Sequence, residues 1–245
     1  MNLVLKVQTT CCPTVLVFWP TFQQLTENQK VVELPFNDDV ISFDVNRHDG
    51  NFAWRRSLPA ELVPDFIESE GVRFEIGDRQ DRKNNAVICK GQEINLPEGK
   101  FKTLYLLAAA NRDTDAEFIV DGEKQPLNIQ GWTGYVGQFY NREFAKDGVT
   151  VTELEDAYSK KDNIAWFASH RHKSYPSGNE AYQYCYLYKY EIRIPEGAKS
   201  VKLPDNDEIK ILAMTVSDKS SQIKPLQHFV DDFNYGLSLD VRNRE

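Results

Sequence analysis

Apolar and alternating runs of three to thirteen residues fill the chain from Val31 to Val216, bounded by Gly, Pro, Asn or Asp punctuation. The first are Val31–Phe36, Val40–Val45, Val72–Ile76, Ala86–Leu96, Thr103–Ala110 and Glu117–Val120. Leu127–Ile129, Ile164–Ser169, Tyr182–Ile194, Val201–Leu203 and Ile209–Val216 follow. Runs of this length with such punctuation predict strands. Glu191-Ile192-Arg193-Ile194 alternates polar and apolar, as a half-buried strand does. Tyr184, Tyr186, Tyr188 and Tyr190 share one parity and should line one face, with Cys185 and Leu187 on the other. Only Glu153–Lys161 and Leu226–Asn234 suggest a helical turn or two.

Turn chemistry favours an antiparallel meander. Asp121-Gly122 follows Glu117–Val120 and suits a two-residue hairpin. Leu96-Pro97-Glu98-Gly99 and Ile194-Pro195-Glu196-Gly197 repeat one turn pattern, a hint of an internal repeat or two ordinary turns. Many strands with little helix predict an all-β fold: an antiparallel β-sandwich or jelly roll of galactose-binding-like form. The expected organisation is a leader or edge segment at 1–30, a sandwich domain at 31–217 and a C-terminal extension at 218–245. Polar Gln8-Thr9-Thr10 and then Cys11-Cys12-Pro13 break the early apolar run, which therefore does not read as a secretory signal. The compartment is left open.

Composition narrows the partners. The 245 residues carry 29 Lys+Arg against 37 Asp+Glu, a net charge of −8. That balance argues against counterion-releasing nucleic-acid binding and against an anionic membrane surface. No apolar stretch is long enough to span a bilayer as a helix. Four cysteines show no zinc-type spacing. Cys89 and Cys185 sit in strand-like runs and read as buried thiols, or as a disulfide if their strands are neighbours. No nucleophile elbow, phosphate loop or zinc-protease motif is present.

The candidate chemistry clusters in two places. Trp166 to His172 ends in His170-Arg171-His172, which in a strand places both imidazoles on one face. Two histidines are short of a metal site, so no cofactor or metal is expected. Hydrogen-bonding donors at a strand end and a sugar-binding surface are the other readings. The Ser174–Asn179 loop and Glu180-Ala181-Tyr182 continue this region, and Trp132 to Tyr135 forms a second aromatic loop. Aromatic faces beside carboxylates and amides suit a hydroxyl-rich ligand. The candidate carbohydrate contacts are Trp132, Tyr135, Trp166, His170, His172, Asn179, Glu180 and Tyr182, with core packing as the alternative for both tryptophans. Asp38, Asp39 and Asp44 suggest a solvated acidic turn or a structural calcium site.

Several phrases occur together: LPFNDDVISFD from Leu34, SLPAELVP from Ser57, NAVICKGQEINLP from Asn85, LYLLAAA from Leu104, GWTGYVGQFYN from Gly131, AWFASHRH from Ala165, NEAY from Asn179, LPDN from Leu203 and IKILAMTV from Ile209. This series resembles the C-terminal β-rich region of bacterial α-mannosidases of glycoside hydrolase family 38, over about Val31 to Ser217. In that family the zinc-dependent machinery lies in a large N-terminal domain, to which nothing here corresponds. The resemblance therefore implies a non-catalytic accessory sandwich. Such a module would bind mannoside-type glycans or complete the substrate site of a partner catalytic domain. The alternative is a structural module that packs on a glycoside hydrolase catalytic domain.

Overall fold

The computed structural model describes residues 29–134, 142–154, 160 and 162–219. Strands β1 (Gln29–Val31), β2 (Ile41–Ser42), β3 (Arg56–Pro59), β4 (Phe66–Ser69), β5 (Val72–Glu75), β6 (Val87–Ile88) and β7 (Glu93–Asn95) come first. Next are β8 (Thr103–Ala110), β9 (Thr114–Val120), β10 (Glu123–Ile129), β11 (Thr133–Gly134), β12 (Arg142–Phe144) and β13 (Val151–Leu154). The last are β14 (Ile164–Lys173), β15 (Gly178–Arg193), β16 (Ser200–Lys202) and β17 (Ile209–Ser217). A single 3-10 turn, Asp44–Asn46, is the helical element among the described residues, and no described helix is long and apolar enough to cross a membrane.

The fold is an antiparallel β-sandwich, as the strand pattern predicts. One sheet runs β1-β17-β8-β15-β14-β3-β2, with β11 beside β15 and β6 beside β17. A second runs β10-β9-β16-β7. Only the β2–β3 pair within these sheets is parallel. Strands β8 and β17 are buried at every position, which is why apolar residues dominate both. In β9, by contrast, Ala116, Phe118 and Val120 are buried and their neighbours are not, so this strand turns one face to the core.

Parity decides what each face of β15 meets. Tyr184, Tyr186, Tyr188 and Tyr190 stack in a ladder with ring centroids 6.1–6.4 Å apart. On that face the Tyr188 hydroxyl donates to the Gly131 carbonyl, and the Tyr190 hydroxyl accepts from the Gln130 amide. On the opposite face Lys189 reaches the β4–β5 turn, where it donates to the Ser69 carbonyl and pairs with Glu70. The main sheet is thus covered on the tyrosine side by the connection that leaves β10, and on the other side by the β4–β5 hairpin.

Local turn predictions hold where two glycine-compatible residues meet. Asp121 and Gly122 take φ of 48° and 84° and join Val120 directly to Glu123. The two Pro-Glu-Gly turns are not structural copies. Gly197 has φ 84°, whereas a side chain at Gly99 would lie 2.4 Å from the Phe101 ring. Glycine is needed for conformation at one and for space at the other.

Some sequence expectations change, and others lie outside the described residues. Glu153 and Leu154 belong to β13, paired with β12, rather than to a helical turn. Leu226–Asn234, Tyr135, almost all of the 1–30 leader and most of the 218–245 extension lie outside the described residues. Strand β14 runs on through His170-Arg171-His172 to Lys173, and β15 begins at Gly178, because these polar positions pair with each other across a short hairpin. Cys89 and Cys185 are free thiols and form no disulfide.

Candidate functional site

The hairpin that joins β14 to β15 lies at one end of the main sheet. There His172 pairs with Ser57 and Lys173 with Arg56, which brings β3 alongside. Strand β2 and the 3-10 turn complete this corner. Residues far apart in sequence therefore converge because the sheet order places their strands side by side.

His172 is fully buried. Its Nδ1 lies 3.0 Å from Ser42 Oγ, which is itself 2.6 Å from Ser57 Oγ. On the other side of the ring, Nε2 is 3.1 Å from Asp44 Oδ1 and 3.9 Å from Glu61 Oε2. Neither carboxylate makes an aligned hydrogen bond with Nε2. Burial lowers the His172 pKa against the pull of Asp44 and Glu61, which favours a neutral ring. Glu61 Oε1 accepts from the Asp44 amide at 2.7 Å, so Glu61 is held with its second oxygen toward the histidine. Arg47 grips the same corner. It pairs with the Asp44 carboxylate and donates from Nε to Asn179 Oδ1 at 2.8 Å.

Glu180 is enclosed by cations. Arg56 donates to both of its oxygens, at 2.7 and 2.9 Å, and Arg171 donates to Oε2 at 2.6 Å. The Arg56 hydrogen bonds, with Arg171 beside them, hold its carboxyl at about 2. Glu180 is therefore a structural clamp for three strands: Oε2 accepts from two arginines and Oε1 from one.

Around the corner lies a cleft of about 450 Å³, lined by His48, Gly50, Asn51, Arg55, Ser174 and Tyr175. Tyr175 stands 73% exposed at the hairpin tip. Trp54 and Arg55 both adopt left-handed backbone, with φ of 54° and 59°, at a turn where Ala53 pairs with Arg56. Such non-glycine residues cost of order 1 kcal/mol each and concentrate at functional loops. The Asn51 side chain supports the turn by accepting from the Arg55 amide at 2.9 Å. Gly50 is required by contact: a Cβ there would lie 2.1 Å from the Ile41 carbonyl oxygen.

The sequence candidates separate clearly. His170, His172 and Asn179 share one face of the hairpin, the two imidazole ring centroids 5.6 Å apart, while Glu180 lies opposite Arg171 on the other face. Trp166 sits on the same strand, half-buried, and donates to the Leu62 carbonyl at 3.1 Å. Tyr182 is 70% exposed at a left-handed position where β14 and β15 slip register. Trp132 is a correction. Its ring is fully enclosed and stacks on Phe52 at 4.5 Å, so it offers no face to a ligand and belongs to the core. The acidic stretch also divides. Asp39 accepts from Asn85 and Asp38 lies near Lys210, while Asp44 alone joins His172. Ser42, Arg47, Ser57 and Glu61 had no local signal, because nothing near them in the chain indicates that they meet His172.

Two facing sheets with a polar, strained loop cluster at one corner define a β-sandwich domain that presents its site at a strand end. The chain belongs to the family of AziU2-like β-sandwich domains, whose model matches residues 27–220. No curated protein matches it.

Proposed function

We propose that this domain is a non-catalytic carbohydrate-associated module that takes a hydroxyl-rich ligand in the cleft beside the β14–β15 hairpin. The cleft itself carries the reading. An exposed tyrosine ring can cover the apolar face of a sugar, while Asn51, Arg55, His48 and Ser174 supply donors and acceptors around it. Strain held at Trp54 and Arg55 adds support, since a turn serving only to connect strands would favour glycine there. The likeness of phrases such as AWFASHRH to mannosidase C-terminal regions makes mannosides the first ligands to try, either alone or within a partner's substrate site.

Titration of the full chain with mannose oligosaccharides, followed by calorimetry and amide NMR, tests this. Millimolar or tighter binding is expected, with shifts at 48–55 and 174–175 and at least tenfold weakening in Tyr175→Ala. Absence of heat and shifts at tens of millimolar sugar would overturn direct binding and leave the packing role on a catalytic domain.

A further inference from the structure

We propose that Asp44, Glu61 and His172 form a binding site for one divalent transition cation of the zinc class. This goes beyond the carbohydrate reading and does not depend on it. Among the described residues, this is where three metal-capable side chains bring one ligand atom each within 4.8 Å of one another. An acidic pair alone would mean little on a surface with many carboxylates. The decisive feature is the histidine. Its side chain is 0% exposed, yet among the described residues Nε2 has no hydrogen bond, with one carboxylate oxygen at 3.1 Å and a second at 3.9 Å.

The ring's other nitrogen explains the arrangement. Nδ1 lies within hydrogen-bonding distance of Ser42 Oγ, inside a buried Ser42–Ser57 pair. If Nδ1 donates there, Nε2 bears a lone pair beside two carboxylates that lie off its axis, as neighbouring ligands of one ion would. Arg47 offsets Asp44 alone, and a cation held between the three ligand atoms would offset both carboxylates. Histidines that bind metal use this device: one nitrogen ligates while the other donates to a fixed partner. With bonds of about 2.0–2.1 Å, cis or tetrahedral ligand atoms lie about 3–3.4 Å apart. The observed 3.1 Å to Asp44 already fits, whereas the 3.9 Å to Glu61, with all three ligand atoms within 4.8 Å of one another, requires Glu61 to move inward on binding.

Ligand type selects the ion. One imidazole with two carboxylates suits zinc, cobalt or nickel, whereas calcium and magnesium prefer all-oxygen sites. Three protein ligands leave the remaining position to water or to a ligand oxygen. Arg47 also contacts Asp44 Oδ1, but a carboxylate oxygen has two lone pairs, so the arginine can hold Asp44 in place while it ligates.

The test uses the full chain, stripped with chelator and titrated with Zn²⁺ by calorimetry and with Co²⁺ by visible absorption. One equivalent should bind with micromolar or tighter affinity. Asp44→Asn and Glu61→Gln should each weaken it at least about tenfold with unchanged circular dichroism. Both changes preserve shape, so the result does not depend on whether His172→Ala folds. The Co²⁺ spectrum should show visible bands that Glu61→Gln reduces. Binding that survives both substitutions, or that vanishes only in the Cys11→Ser/Cys12→Ser variant, would overturn the assignment. So would the absence of binding up to about 1 mM metal. Sugar binding that persists in Glu61→Gln would separate this site from the cleft.

Discussion

Arg56 and Glu180, 124 positions apart, form a two-pronged ion pair in which Nε and Nη2 of the guanidinium donate to the two carboxylate oxygens at 2.7 and 2.9 Å. This pair ties β3 to the β14–β15 hairpin. Glu180 is about four-fifths shielded from solvent, so the contact is worth more than a surface pair. Its pKa is depressed from 4.5 to about 2. A depressed acid stabilises the fold at pH values above its unfolded pKa and loses that contribution as pH falls through 4.5 toward 2. Glu180→Gln should therefore cost roughly 2 kcal/mol at pH 7, after allowance for solvent screening. The gap from wild type should close on acidification below about pH 4. Urea unfolding at a series of pH values measures both.

Asp39 behaves in the opposite sense. Burial is the main cause that raises its pKa from 3.8 to about 6, against hydrogen bonds from Asn85 and Ile41. The folded form therefore holds its proton more tightly than the unfolded chain. Its contribution is full below about pH 3.8 and fades as pH rises through 6. Asp39→Asn keeps the Oδ1 acceptor and removes the charge. It should raise stability by about 1–2 kcal/mol at pH 7 and change little at pH 4. Thermal melts at the two pH values distinguish these outcomes.

Trp132 is a core residue. Replacement by Ala should cost about 3–5 kcal/mol, through the lost stacking on Phe52 and the cavity left behind. Its Nε1 is buried without a hydrogen-bond partner among the described residues, so Trp132→Phe should be far milder: it removes that donor along with some volume. Chemical denaturation supplies the numbers. Ligand affinity measured on the folded fraction of Trp132→Phe should match wild type.

Both described cysteines are sheltered. Burial pushes the Cys89 thiol up to about 12 and the Cys185 thiol higher still. Only the thiolate reacts quickly, so neither should be labelled by iodoacetamide in the native state. Both should label after unfolding in denaturant. Peptide mapping by mass spectrometry resolves each position, and rapid native labelling of Cys185 would contradict the burial described here.

Much of the strand content was legible because it rests on local rules. Thr103–Ala110 and Ile209–Ser217 are mostly apolar since both faces are covered, and Asp121-Gly122 turns where its two left-handed positions allow it. The tyrosine ladder follows from a period of two. The same period puts His170 and His172 on one face, and their rings do share it.

The chain alone determined which segments extend, where they turn and which side chains share a face, because those properties depend on neighbours a few bonds away. Sheet order decided the rest. Ser42 reaches His172 across 130 positions, and Asp44 and Glu61 approach the same ring from separate loops. No periodicity records which strand lies beside β14. That choice is made by the burial of whole faces, a property of the assembled sheets, and only after it is made do two carboxylates and an unpaired imidazole nitrogen meet.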